Sequence, residues 1–287
     1  MGVLLCKPGD GVWMAHENAK QPERLPCPFE WPCVPCASAA CCAVCCMKSR
    51  ECLCTERRTG RTVSRMACVP GVSGMQFSAC GRYLYQLSSE ADCIHTCASA
   101  TGELLYAAPV GVFPRCMKTG EGGRMLLCAG GAANEAVLMN APDLTHLRTV
   151  YTRHPCFAAD FWCEGLVLVC AAEGEDIRSV VCTLPPKALR PRELAELPGP
   201  PAWLCVCPDG KTALISTRGG LAKMDLYTGS LLWNCPEWAL CMRMECMGNE
   251  ALISDTLDGS VWVFNHHRPW ERRLIAHSPD SQACFLC

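Results

Sequence analysis

Short runs of alternating apolar and polar residues recur along the chain, each the length of a β-strand. Met75/Phe77, Leu204/Val206 and Met242/Met244 keep a period of two, which places every second side chain on one face of a strand. Between them stand runs that are apolar throughout, such as 125–129 and 165–172. These are also of strand length and fall far short of the ~18 residues a membrane-spanning helix needs. No stretch sustains a 3.6-residue period, so an all-β chain is predicted.

The runs come in a fixed order. A Thr-Gly pair flanked by apolar stretches appears at Thr59-Gly60, Thr101-Gly102 and Thr228-Gly229. The first two copies lie 42 residues apart and the third a further 127 on, close to three such periods. A period of about forty residues made of short strands marks propeller blades. Aligned on a turn glycine (Gly81, Gly123, Gly210, Gly248), four units open nine residues earlier, and a fifth, from Pro155 to Gly165, needs one extra residue. Each reads as a first strand, a glycine-containing turn, a very apolar second strand, a more polar third strand and a fourth strand after the Thr-Gly turn. The Pro-rich segment 185–200 reads as a longer loop and an edge strand.

Six units are predicted at 32–71, 72–112, 113–153, 154–199, 200–237 and 238–276. The remainder, 1–31 plus 277–287, supplies a seventh. Gln282 to Cys287 looks like an isolated first strand, and the segments around Val3-Leu4-Leu5, Val12-Trp13-Met14 and Glu23-Arg24-Leu25 look like strands two to four. Joining the two ends in one blade removes exposed edges and closes the ring. The expectation is a single domain: a seven-bladed β-propeller of four-stranded blades.

Specific blades resemble known repeats. Pro201 to Gly210, with Pro208-Asp209-Gly210 and the strand Ala213-Leu214-Ile215-Ser216, resembles the repeat of YVTN-type seven-bladed β-propellers. Tyr227-Thr228-Gly229-Ser230-Leu231-Leu232-Trp233 is similar to the Thr-Gly-x-x-x-Trp turn of quinoprotein-type repeats, and Asp258-Gly259-Ser260-Val261-Trp262 resembles a WD-type blade. The resemblance spans nearly the whole chain and implies a fold. The chain departs from those repeats in its cysteine content and in the turns Ala79-Cys80-Gly81 and Glu121-Gly122-Gly123.

Composition narrows the function. Of 287 residues 50% are hydrophobic and 19% charged, with a net charge of −2 and no basic cluster. The basic stripe that a phosphate backbone requires is therefore missing, and a nucleic-acid partner is not expected. Neither is a membrane partner. The N-terminus reads as lacking a charged leader ahead of a long apolar stretch, so a cytoplasmic, monomeric protein is expected. The 27 cysteines are too many for that setting unless most replace Ala, Val or Ser as small buried hydrophobes.

Two groups of residues could carry chemistry. Cys33/Cys36 and Cys42/Cys45 have Cys-x-x-Cys spacing, which taken alone suggests a metal site. Cys42 and Cys45, however, fall in a second strand, where residues three apart point to opposite faces. Cys205 and Cys207 share a strand face, with no second pair apparent. On the first strands, Gln76, Lys118, Cys205 and Arg243 stand five residues before the turn glycine, and Asp160 falls at or beside that slot. Their convergence on the channel would give an anion-favouring spot balanced by Asp160, or else solvated ion pairs. His266-His267 reads as an exposed turn, and no paired carboxylates, metal-spaced histidines or catalytic triad stand out.

Three readings follow: a non-catalytic propeller binding a protein or peptide, without a cofactor; a lactonase-like hydrolase, since propellers of similar appearance include sugar lactonases; and a quinoprotein-like or thiol-metal binding protein. The repeat favours the first, because a rigid ring with variable loops needs no catalytic signature.

Overall fold

The computed structural model describes residues 2–7, 11–16, 23–24, 33–46, 48–130, 132–238, 240–254, 259–277 and 282–286. They form seven four-stranded antiparallel sheets arranged as blades of a ring, so the chain is a seven-bladed β-propeller. Blades one to six comprise strands within 33–67, 72–109, 114–151, 156–198, 201–235 and 243–277. In the closing blade Gln282–Leu286 is the inner strand, followed outward by Gly2–Lys7, Gly11–His16 and Glu23–Arg24. The ends meet in register, with Gly2 opposite Leu286 and Cys6 opposite Gln282.

The Thr-Gly motif has one physical cause in all three copies. Gly60, Gly102 and Gly229 adopt φ of 67°, 78° and 74°, a left-handed conformation that glycine reaches without a steric cost. Each donates its N–H to the carbonyl four residues back (Glu56, Ala98, Asp225) at 2.8–2.9 Å. The preceding threonine hydroxyl accepts the N–H two residues on, from Arg61, Glu103 and Ser230, at 3.2–3.3 Å. Blade three makes the same turn with other residues. Leu144 takes φ 58° and donates to Asn140 at 3.1 Å, and Asp143 accepts from Thr145 N at 3.1 Å. A β-bulge beside the connection from third to fourth strand, at Cys54, Thr96, Leu138, Val181 and Lys223 in blades one to five, increases the twist that splays each blade outward.

The second strands are apolar because both of their faces are covered. Thr212–Thr217 is buried at every position, and Cys41–Cys46 at all but its first. The core is accordingly a ring of packing layers between neighbouring blades. Leu4, Cys42 and Cys284 lie between the closing blade and blade one; Cys45, Met75 and Leu84 between blades one and two; Leu214, Met244 and Phe264 between blades five and six. Eighteen of the 24 cysteines whose side chains are described are buried and all 24 are free thiols, so most serve as small hydrophobes in these layers. Burial raises the thiols of Cys42, Cys97 and Cys116 to about 11, which keeps them protonated and inert.

One strand begins later than the sequence suggests. Blade six was expected to open at Ala239, which lies outside the described residues, whereas its inner strand is Arg243–Met247. A 3-10 turn, Pro236–Trp238, precedes it and packs the Trp238 ring 4.6 Å from Phe264. Among the described residues no helix is long and apolar enough to cross a membrane.

Candidate functional site

Inner strands of several blades enclose a cavity of about 200 Å³, with Gln76, Arg115, Lys118, Trp203, Arg243 and Glu245 among its walls. Three of the five residues selected from sequence thus face one space. Asp160 joins them through an ion pair to Lys118, Nζ to Oδ2 3.5 Å, with both side chains mostly buried at 16% and 13% exposure. Cys205 instead packs in the layer between blades five and six.

These polar groups are largely bonded to one another and to adjacent blades. Asp160 accepts from Phe161 N at 2.8 Å and, across to the next blade, from Val206 N at 2.9 Å. Glu245 accepts from Phe285 N of the closing blade at 2.9 Å and pairs with Arg243 at 3.4 Å. Arg243 Nη2 also donates to the Pro35 carbonyl of blade one at 2.8 Å. Gln76 Nε2 donates to Thr119 Oγ1 in blade three at 2.9 Å. Burial opposes the Lys118 charge, but the Asp160 carboxylate outweighs it and holds the ammonium above the ordinary lysine range. Burial likewise opposes the Arg243 charge, which the Glu245 carboxylate more than offsets. Held this way, the charges act as latches between blades.

Glu245 was not among the sequence candidates. Counting back from the turn glycine selects Arg243, but the turn of blade six spans only Gly248-Asn249, between the paired Met247 and Glu250. The residue doing for blade six what Asp160 does for blade four therefore lies two positions later. An acidic side chain two residues from a first-strand arginine was the available signal.

The Cys-x-x-Cys residues separate. Cys42 packs between the closing blade and blade one, whereas Cys45 and Cys36 pack between blades one and two. Cys33 lies opposite Cys46 in the blade-one ladder, and its side chain falls outside the description. Among the described residues no group of three or more His, Cys, Asp or Glu is arranged to hold a metal ion. Cys45 instead meets Cys68, sulfur to sulfur 2.6 Å. Hydrogen bonds from Cys45 and Cys52, opposed by burial, lower Cys68 to about 5.

A second cluster assembles where the sequence suggested an exposed turn. His266 is only 1% exposed, because its Nδ1 faces Lys223 Nζ at 2.9 Å and its Nε2 the Gly248 carbonyl at 3.0 Å. Lys223, 2% exposed, also reaches His267 Nδ1 at 3.4 Å. Cys205 and Cys207 are buried in the layer between these blades, and Cys246 packs against it. Lys223 and His266 thus meet from neighbouring blades. No local spacing announces them.

The outer strands differ in charge. Blade two ends in Leu104–Pro109, Leu-Leu-Tyr-Ala-Ala-Pro, with Leu104 52%, Leu105 36% and Tyr106 44% exposed. Val112 and Phe113, in the loop that follows, are also exposed. The outer strands of blades one, three, four and six carry arginines. That of blade five, Leu231–Cys235, is also uncharged but shorter, and its Trp233 Nε1 donates to His266 O at 3.2 Å.

No family model matches the chain and no curated protein matches it. Among solved structures it is similar to "Dihydro-heme d1 dehydrogenase NirN in complex with DHE". The TM-score is 0.61 and the identity 15%, covering 86% of this chain and 57% of that one. At that identity the likeness concerns the fold alone, and the chain spans little more than half the length of that structure. The likeness supports the propeller fold; membership of the YVTN family has no matching model behind it.

Proposed function

We propose that this propeller is a non-catalytic interaction scaffold that receives an extended, apolar segment of a partner protein along the outer edge of blade two. The observation that carries the reading is the strand Leu104–Pro109, exposed along its length and without a charge. An edge strand presents unpaired N–H and C=O groups, and proteins normally guard such edges with charge or cover. Here only the terminal Pro109 interrupts it. A partner strand would gain main-chain hydrogen bonds from the edge and side-chain contact from Leu104, Leu105 and Tyr106, the mode of β-augmentation. The uncharged edge favours an uncharged occupant, because a charged strand laid against it would lose hydration without a counter-charge.

The channel supports the same reading from the other side. Lys118, Asp160, Arg243 and Glu245 bind one another and the backbone, so the groups that a hydrolase would use are engaged in joining blades.

A photo-crosslinking residue placed at Tyr106 is expected to give one discrete protein adduct in cells. The same probe at Trp270, exposed on the charged outer strand Arg268–His277, should not give it. Leu105→Lys should abolish the adduct while leaving the melting temperature unchanged. An adduct that survives Leu105→Lys, or that forms equally at Trp270, would refute the edge as the docking site.

A further inference from the structure

The sulfur contact in blade one belongs neither to the channel latches nor to the edge of blade two. Cys45 lies near the end of the second strand, Cys41–Cys46, and Cys68 follows the outer strand, Thr62–Ala67. Their sulfurs stand 2.6 Å apart. That is well inside the van der Waals separation of two unbonded sulfurs, and only about half an ångström beyond the ~2.05 Å of a covalent S–S bond. The backbone holds both residues in place. Cys45 is paired with Val34 on one side and Cys52 on the other, and Cys68 N donates to the Arg50 carbonyl at 2.9 Å. Past Cys68 the chain is gripped by the second strand of blade two, Tyr83–Ser88. Val69 N donates to Gln86 Oε1 at 3.1 Å, and the Ser88 hydroxyl donates to the Pro70 carbonyl. A bond between the two sulfurs would therefore join the second strand of blade one to the connector that blade two holds. Cys52, the other thiol near Cys68, donates to Met75 Sδ at 3.9 Å and is the competing partner.

We propose that Cys45 and Cys68 are a peroxide-oxidisable thiol pair whose disulfide ties blade one to the connector into blade two. Cys68 meets the oxidant first, being 8% exposed where Cys45 is 0%. The hydrogen bond from Cys45 also favours the Cys68 thiolate, the nucleophilic form. Its sulfur attacks one oxygen of hydrogen peroxide. The S–O bond forms, the O–O bond breaks, and the departing hydroxide takes up the proton that the thiol released, leaving as water. The Cys45 sulfur then attacks the Cys68 sulfenic acid. The S–S bond forms and the S–O bond breaks, and the Cys45 proton leaves with the hydroxyl as a second water. Overall two thiols and one peroxide give one disulfide and two waters. Because the sulfurs are already in contact, closing the bond asks for a shift of side chains and leaves the strand ladder intact.

The test is titration of the fully reduced protein with hydrogen peroxide, followed by acid quench, alkylation of free thiols and tryptic mapping without reduction. The expected product joins peptide 25–48, which holds Cys45, to peptide 66–82, which holds Cys68 and Cys80, and fragmentation should place the bond at Cys45 and Cys68. The link should be lost in Cys68→Ala, persist in Cys80→Ser and Cys52→Ser, and be reversed by dithiothreitol. Oxidised wild type should unfold at higher urea than reduced wild type, since the bond closes a loop in the unfolded chain, and Cys45→Ala should lack that shift. Should either alanine variant not fold, the fragment map of the wild type decides alone. A bond from peptide 51–57, which holds Cys52 and Cys54, to peptide 66–82 would overturn the pairing. So would a link that survives Cys68→Ala, or oxidation of other cysteines while Cys45 and Cys68 are still alkylated.

Discussion

Asp209 shows how much of a turn one carboxylate can hold. Its Oδ1 accepts from Lys211 N at 2.8 Å and Thr212 N at 2.9 Å, and its Oδ2 from Thr212 Oγ1 at 2.7 Å. Asp225 repeats the arrangement with Tyr227 N, Thr228 N and the Thr228 hydroxyl, which is why aspartate opens both hairpins. Partial burial opposes the Asp209 charge, but these hydrogen bonds and the Lys223 field outweigh it, so its carboxyl sits below the usual carboxylate range. A depressed pKa means that the unfolded chain takes up the proton first. The stabilisation is therefore present above the unfolded value, near 4, and is lost as pH falls through the folded one. Asp209→Asn should lower stability at pH 7 by about 0.5 kcal/mol, a small value because solvent screens this exposed turn. Urea melts should show the gap between wild type and variant closing as pH drops below the carboxylate range. A gap independent of pH would mean that the carboxylate charge is not what holds the turn.

The inner strand of blade four, Cys156–Trp162, is fixed on both sides through Asp160, to Lys118 of blade three and to Val206 N of blade five. Asp160→Ala strands a mostly buried ammonium and two backbone N–H groups at once, so a loss of about 3 kcal/mol is expected in urea unfolding. The double variant Asp160→Ala/Lys118→Met should recover part of it, because the unpaired charge is then gone. A single-variant cost below about 1 kcal/mol would show that the latch contributes little. The sequence exposes elements of this kind unevenly. Thr59-Gly60, Thr101-Gly102 and Thr228-Gly229 stand out because only glycine enters their turn conformation without a steric cost. The blade-three copy is hidden because Asp143-Leu144 makes the same turn with a leucine at positive φ, held there by its own burial at 5% exposure. Counting from glycines located Lys118 and Asp160 and missed Glu245, since turn length varies between blades. The Lys223–His266–His267 cluster left no local trace at all: its members come from the third strand of blade five and the turn after the third strand of blade six, and periodicity reports only neighbours along one strand.

At the scale of the molecule, each blade owes its stability to the packing layers on either side of it. Cutting one layer therefore opens a ring. The strand Gln282–Leu286 holds two such layers. Cys284 packs toward blade one, whereas Ala283 and Phe285 pack with Val3, Leu5, Val261 and Val263 toward blade six. It also supplies Phe285 N to Glu245, accepts from the Ser254 hydroxyl at the Ala283 carbonyl, and pairs along its length with Gly2–Lys7. Deleting 282–287 removes the fully buried Phe285, by itself worth about 3–5 kcal/mol in such a core, and bares the edge of Gly2–Lys7. It also leaves the half-buried Glu245–Arg243 pair without its backbone donor. The expected result is a single unfolding transition shifted to lower urea by more than about 4 kcal/mol. Faster exchange of backbone amides should follow in blades one and six, the two that face the gap, before it reaches blade three across the ring. If instead the midpoint stayed at the wild-type value, the terminal strand would be an ornament on a ring already closed by six blades. The inner-strand latches would then have to account for the closure by themselves.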